Sequence, residues 1–168
     1  MVISFGAVNP SSSDNAAASH SVELAHLELG RRGEELAAAY LEQQGYRIVA
    51  SNFTLPVGRN MRGTIVNAEI DLVAYEGATL CFVEVKTRAS DWFAPPQVNV
   101  DLRKRRQIAR AARAYRRMLG LETSPYRYDV VSIVLPTTTA HALQIEILRN
   151  FWTEDNLRKR RQSERHWD

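Results

Sequence analysis

A glutamate and a lysine stand two residues apart in a segment that otherwise has the composition of a buried β-strand. The segment is CFVEVKTR, residues 81–88. Successive side chains of a strand point to opposite faces, so Glu84 and Lys86 share one face of the sheet. Because both faces of this segment begin apolar, it is typical of a covered central strand, where an unpaired charge is costly. Both residues therefore need partners, and a simple ion pair between them is the plainest arrangement.

A second acid in the preceding predicted strand, AEIDLVAY, changes this interpretation. Asp71 stands where the pattern favours Val or Ile, and a turn at Glu76-Gly77 would place the two strands about 4.8 Å apart. Two converging carboxylates repel each other unless a cation lies between them, and a divalent ion serves better than Lys86 alone. Magnesium accepts one or two carboxylates and keeps several waters. The pattern predicts a magnesium or manganese site suited to phosphodiester hydrolysis.

The periodicities predict an α/β fold in the order helix, three strands, helix, two strands. Residues 54–67 hold Pro56, Gly58 and Gly63 and are predicted to form a long hairpin loop between the first two strands. We expect the first three strands to form an antiparallel meander. The predicted helices are 22–44 and 99–119, and the predicted strands are 46–53, 68–75, 79–87, 127–135 and 141–148.

Four segments carry a resemblance to a known family. Asp71 and Glu84-Val85-Lys86 resemble the Asp…Glu-x-Lys signature of the restriction-endonuclease-like nucleases. More closely, the chain resembles the YraN-like family, small bacterial proteins predicted to be endonucleases and distantly similar to archaeal Holliday junction resolvases. The match covers residues 29–135 and is carried, in order, by GRRGEELAAAYLEQQGYRIVASNF, AEIDLVAYEGATLCFVEVKTR, VDLRKRRQIARAARAYRRMLG and YRYDVVSIV. It implies a restriction-endonuclease-like core, a mixed central sheet flanked by helices in αβββαββ order.

The resemblance also implies roles for individual residues. It assigns Asp71 and Glu84 to metal ligation, with the Val85 carbonyl as a third ligand, and Lys86 to catalysis. Glu34 matches a first-helix glutamate that lies beside the metal site in related resolvases and is a further candidate ligand and catalytic residue. A solvated acid in the first turn of a helix is the alternative for Glu34.

The chain departs from the family pattern at two places. Ala68 stands where the family usually has glycine, and an insertion around residues 55–67 lengthens a link that is usually short. Neither removes a proposed catalytic side chain. Both concern the shape of the substrate entrance.

Basic residues are concentrated in the second predicted helix. Residues 101–120 hold eight basic residues and one acid, Asp101. A row at spacings of 3, 4, 3 and 4 shares one helix face and is predicted to bind phosphates, with a solvated face as the alternative. The row is Arg103, Arg106, Arg110, Arg113 and Arg117, and the expected packing face is Ile108, Ala112, Tyr115 and Leu119. Lys104 matches a helix lysine of the family, and both an orientation toward the active site and simple exposure are open.

Other candidates are weaker. Trp92 and Phe93 could stack on a base or cap the core, and Asp129 is expected to pair with Arg127 rather than act in catalysis. The basic cluster 158–161 is typical of a solvated tail, although it could add non-specific nucleic-acid affinity.

The overall organisation indicates one domain. We expect a disordered leader at 1–21, the nuclease domain at 22–150 and a basic polar tail at 151–168. Cys81 is the only cysteine, which excludes an internal disulfide and fits a reducing compartment. With no apolar run long enough for a membrane span, we expect a cytoplasmic protein.

These features favour a metal-dependent endonuclease acting on DNA, with branched and single-stranded structures as candidate substrates. A nucleic-acid-binding module that retains the fold without cleaving is the alternative, and an adaptor with a buried ion-pair network is a third. Resolvases cut two strands as dimers, which leaves a homodimer open.

Overall fold

The computed structural model of the protein describes residues 12–90, 98–139 and 141–157, with side chains from residue 19 onward. Two helices and five strands follow each other in the predicted order. They are α1 (Ser12–Gln43), β1 (Tyr46–Arg59), β2 (Ile65–Glu76), β3 (Thr79–Ala89), α2 (Leu102–Met118), β4 (Tyr126–Leu135) and β5 (Gln144–Trp152). The predicted α/β class and αβββαββ order are confirmed, and the architecture is consistent with a restriction-endonuclease-like core.

The strands form one mixed sheet in the order β1-β2-β3-β4-β5. The first three strands pair antiparallel, as the meander prediction required. β3 and β4 pair in parallel, and α2 lies in the crossover connection that a parallel pair needs. β5 returns antiparallel to β4. β3 therefore lies at the centre of the sheet.

An apolar cluster covers each face of the sheet. The cluster under α2 includes Ile70, Phe82, Ile108, Tyr128 and Trp152. The cluster under α1 includes Ala37, Leu41, Leu72, Val83 and Ile133. Burial on both faces explains why β3 has an apolar sequence on both of its sides before Glu84.

The first helix begins earlier than predicted. α1 starts at Ser12 rather than near Val22, inside the segment expected to be a leader. The alanines at 16–18 have high helix propensity, which a search for apolar periodicity does not detect. Residues 19–28 are exposed, so this extension adds little to the core.

The hairpin between β1 and β2 is longer and more regular than the predicted loop. β1 continues to Arg59 and β2 begins at Ile65, so only residues 60–64 turn. Pro56 is tolerated because β1 is an edge strand, where a missing backbone donor costs little. The prediction of a long loop at 54–67 was therefore wrong.

Two further boundaries differ from expectation. β5 ends at Trp152, whose side chain is only 2% exposed, so the core extends past the predicted domain end at residue 150. Leu119 was expected to pack, but it follows the last residue of α2 and is 51% exposed. Within the described residues, no helix is long and apolar enough to cross a membrane.

Replacing Gly33 tests the closest approach of α1 to the sheet. A Cβ added there would overlap the Thr87 side chain of β3 and lie 2.7 Å from Thr87 Cβ, whereas one added at Gly30 meets nothing within 4 Å. We expect Gly33→Ala to lower the free energy of unfolding by about 1–3 kcal/mol through overpacking. Gly30→Ala, the matched control, should raise it by roughly 0.5–1 kcal/mol. Urea denaturation measures both, and equal effects of the two changes would contradict this packing.

Candidate active site

The candidate active site lies where β2 and β3 separate. Their ladder ends at Leu72, which is opposite Val83. Beyond this pair β2 is paired with β1 alone, while β3 continues along β4 to Ala89. The alternation of β2 also breaks here, because Ile70 and Val73 both pack into the cluster under α2 although they are three residues apart. We call this opening between the two strands the fork.

Asp71 lies at the start of the fork. Its Oδ2 accepts a hydrogen bond from the Val85 backbone N–H at 2.7 Å. A side chain thus satisfies a strand donor that the neighbouring backbone no longer reaches. Because a strand residue directs its N–H and C=O to the same side, we expect the Val85 carbonyl to face the fork as well.

Glu84 lies beside Asp71 and has two lysine partners. Lys86 Nζ is 2.9 Å from Glu84 Oε1, so the predicted ion pair is present. Lys104 Nζ is 3.2 Å from Glu84 Oε2 and 3.9 Å from Asp71 Oδ1. The ammonium between the two carboxylates is therefore that of Lys104, and Lys86 contacts only one of them.

The start of α2 positions Lys104. Asp101 is the N-cap residue, and its side chain accepts the Lys104 backbone N–H at 2.8 Å. This cap fixes the first turn of α2 over the fork, with the lysine side chain directed to the sheet. Of the two orientations that the sequence left open for Lys104, the structure has the one toward the site.

The site holds its carboxylates at an electrostatic cost. Burial, and next the charge of Glu84, raise the pKa of Asp71 to about 7, against the Val85 hydrogen bond and Lys104. Burial lowers the pKa of Lys104, but the charges of Glu84 and Asp71 outweigh it and leave that pKa above its usual value. Glu34, half-buried on α1, lies close enough for its charge to contribute to the raised pKa of Asp71.

The donor set fits an open divalent-cation site. Glu84 is 2% exposed, and the cation nearest to its Oε2 is the Lys104 ammonium at 3.2 Å. Two carboxylates with room for waters match the preference of Mg²⁺. The described residues contain no group of three or more acidic, histidine or cysteine side chains placed to hold a metal, so a closed protein cage does not fit.

The arginine row lies on the outer face of α2. Arg103, Arg110, Arg113 and Arg117 are exposed and Arg106 is half-exposed. Arg113 pairs with Glu154 at 2.7 Å, so one member of the row is partly neutralised.

The other two arginines of α2 have packing roles. Arg105 donates to the Val100 carbonyl at 2.6 Å and lies over the Phe151 ring. Arg116 stacks over Tyr126, with its guanidinium carbon 3.7 Å from the ring centroid. Neither faces outward with the row.

Asp129, opposite Val83 on β4, belongs to a network separate from the site lysines. Arg127 Nε donates to both of its carboxylate oxygens, at 2.9 and 3.0 Å, as the sequence suggested. Arg127 also pairs with Glu76, which bonds Arg149. Trp92, Phe93 and the basic cluster 158–161 lie outside the described residues.

Sequence reasoning missed features that depend on contacts between distant elements. The Asp101 cap was not assigned a role, although an aspartate directly before a helical pattern is a usual N-cap. The close contact of Gly33 with Thr87 brings α1, and Glu34 with it, to the edge of the site. Ser132, buried on β4 opposite Lys86, has no sequence pattern that would have identified it.

Comparisons with known proteins agree on one family. The model of the uncharacterised protein family UPF0102 matches residues 33–133. A UPF0102 protein of Solibacter usitatus is 45% identical over 106 residues, 63% of this chain and 74% of that protein. One of Chlorobium chlorochromatii is 39% identical over 131 residues, 76% and 93% of the two chains. One of Geobacter sulfurreducens is 41% identical over 116 residues, 69% and 83%.

The raised pKa of Asp71 predicts that Asp71→Asn stabilises the metal-free protein. Because the folded pKa of about 7 exceeds the ordinary aspartate pKa of 3.8, which applies to the unfolded chain, stability should fall as pH rises from about 4 to 7 and then level off. An asparagine can still accept the Val85 N–H but carries no charge. We expect its Tm to exceed that of the wild type by about 5 °C at pH 8, with a smaller difference at pH 5.

Thermal denaturation in a chelating buffer measures this effect. Glu146→Gln, which removes an exposed acid from β5, is the matched control. A variant less stable than the wild type at both pH values would show that Asp71 is held without electrostatic cost.

Proposed function

Starting from the fact that this chain belongs to UPF0102, the YraN-like family, we propose that it is a metal-dependent endonuclease that hydrolyses DNA phosphodiester bonds. The family name states no activity, so the proposal depends on the site itself. Its main support is the pair of buried carboxylates that converge at the fork, Asp71 and Glu84, with the Lys104 ammonium between them. Buried acids with a strongly shifted pKa are typical of functional sites.

Asp71, Glu84 and the Val85 carbonyl would hold Mg²⁺ or Mn²⁺, with Glu34 near enough to favour the cation by its charge. The ion would supply charge neutralisation on the phosphoryl oxygens and a water of lowered pKa. Lys104 now lies between the two carboxylates. If they held the ion, the Lys104 ammonium would be available to bind a phosphate oxygen of the substrate.

Lys86 is the proposed catalytic lysine. Its side chain is 41% exposed, while the Glu84 carboxylate that anchors it is 2% exposed. The ammonium is thus fixed at one end of a buried pair and accessible to substrate. There it can orient the attacking water and stabilise charge that develops on the phosphate.

The first turn of α2 offers a place for the phosphate backbone. It contains the exposed Arg103 and the site lysine Lys104, and the Asp101 cap is the one acid beside it. Cations are unfavourable at the positive end of a helix, whereas an anion bound there is favoured by the helix dipole and by the cations together. The arginine row continues from this turn along the outer face of α2, so a DNA strand bound at the site would continue along the row.

The alternative is a nucleic-acid-binding module that does not cleave. It is favoured by one observation, which is that Lys86 and Lys104 both pair with Glu84 and Lys104 also lies 3.9 Å from Asp71. Branched or single-stranded DNA as the substrate, a homodimer as the active form and the cytoplasm as the location remain parts of the proposal.

Cleavage of branched, nicked and single-stranded DNA in Mg²⁺ or Mn²⁺ tests the proposal. We expect Glu84→Gln and Lys86→Ala each to lower the cleavage rate by about 100-fold or more, since each removes charge stabilisation at the reacting phosphate. Glu42→Gln, an exposed acid on α1, is the control. Equal rates in all four proteins would exclude this site. DNA binding without cleavage, together with no Mn²⁺ binding by calorimetry, would favour the alternative.

The arginine row predicts a strong salt dependence of DNA affinity. Each duplex phosphate contact contributes about 0.9 to the slope of log K against log salt. Replacing both Arg106 and Arg110 with alanine should therefore reduce the slope by nearly 2. Arg47→Ala, which removes an exposed arginine at the far end of β1, should change it by less than 0.5. Titrations at several salt concentrations measure the slope, and an unchanged slope for the double variant would exclude the row from binding.

A further inference from the structure

The β1–β2 hairpin extends beyond the sheet as a two-stranded ribbon. Its pairs run from Thr54 opposite Glu69 to Arg59 opposite Ile65. β3 has left β2 at Leu72, so no third strand accompanies this part of the hairpin. We call residues 54–69 the arm. It contains the insertion around residues 55–67 by which this chain departs from the YraN-like pattern, and at its base Leu55, Val57 and Ala68 pack against the cluster under α2.

The tip of the arm is ordered, basic and partly apolar. The Asn60 side chain accepts the backbone N–H groups of Arg62 and Thr64, and Arg59 donates to the Gly63 carbonyl at 2.7 Å. Met61 is fully exposed. Arg62 is exposed and makes no ion pair within the described part of the chain. The tip therefore presents unneutralised positive charge and one exposed apolar side chain from a turn closed by hydrogen bonds.

The arm and the arginine row form one continuous surface. Pro56 and Val57 of the arm line a shallow groove together with Arg110, Arg113 and Arg117 of α2. The positive charge of the helix thus continues onto the arm. An acidic polymer bound along the row would reach the arm at this groove, and the one acidic residue of the arm, Glu69, lies at its base rather than at its tip.

β2 carries both Asp71 and the second strand of the arm, which sets an upper limit on the distance between the candidate site and the tip. Gly63 at the turn precedes Asp71 by eight positions. At about 3.3 Å per strand residue this is roughly 26 Å, or about seven to eight base pairs at 3.4 Å per base pair. A two-stranded ribbon has a width that the major groove of B-form DNA admits.

We infer that the arm binds duplex DNA flanking the cleaved position and places its tip in the major groove about seven base pairs from the attacked phosphate. The inference rests on the proposed function, since it deepens that site's substrate from DNA in general to DNA with a duplex stem of sufficient length. Arg59 and Arg62 contact the backbone at the groove, and Met61 contacts the bases.

Binding to forked DNA with stems of different length tests the arm. Fluorescence anisotropy compares stems of 4 and 12 base pairs for the wild type and for the double variant Met61→Ser/Arg62→Glu. We expect the wild type to bind the longer stem at least tenfold more tightly, and the double variant to bind both stems as the wild type binds the shorter one. Arg47→Glu, the same charge change at the other end of β1, should keep the tenfold preference.

Two controls show whether the preference for the longer stem comes from contact between the tip of the arm and the DNA major groove. An RNA stem of 12 base pairs should give no gain over 4, because the A-form major groove is too narrow for the ribbon. Since Met61 and Arg62 are exposed, the double variant should also keep the wild-type Tm. If the variant retains the tenfold preference, the inference is wrong.

The outcomes separate this inference from the proposed function. If the wild type cleaves DNA in a Glu84-dependent manner but the tip has no effect on stem preference, only the arm's role is overturned. If stem preference depends on the tip but no cleavage occurs, the arm's role stands and the nuclease proposal fails. If the wild type binds no DNA and instead binds an acidic protein, both fail.

Discussion

The hydrogen bond from the Val85 N–H to the Asp71 carboxylate keeps the sheet open at the point where β2 and β3 separate. Without a side chain to accept that donor, the opening would leave a strand N–H unsatisfied in a nearly buried position. The same bond holds Asp71 beside Glu84, where its charge is unfavourable. A carboxylate with a pKa near 7 lowers the stability of the folded protein at neutral pH, and this loss falls at the site proposed to bind the metal.

The positive charges around Glu84 come from two different elements of the fold. Two buried carboxylates need cations, and two lysines from different elements provide them. Lys86 is on the same strand as Glu84 and two residues further along, so the two side chains lie on the same face of the sheet. Lys104 comes from a helix N-terminus, where the dipole disfavours it. Its position is better explained by the carboxylates and by an incoming phosphate than by helix stability.

The sequence predicted the element order and the two site acids because each depends on a local pattern. Glu84 interrupts the apolar pattern of β3, and Asp71 interrupts that of the preceding strand, β2. One short turn joins the two strands, which brings the two carboxylates close together. The position of Lys104 could not be decided, since it depends on how far α2 is rotated on the sheet. Most of the arm was predicted to be a loop because glycine and proline usually mark loops, yet an edge ribbon also accommodates them. Trp152 was assigned to the tail because the charged residues after it dominate the composition of that segment.

Anomalous diffraction from crystals soaked in Mn²⁺ tests the metal site most directly. The account predicts one strong peak at the fork, about 2 Å from oxygens of Asp71 and Glu84, with Lys104 Nζ displaced from its place between the two carboxylates. A matched crystal of Glu84→Gln should lack the peak. Lys104 remaining between the carboxylates at saturating Mn²⁺, with no peak at the fork, would contradict the account and leave the four charges as a structural ion-pair network.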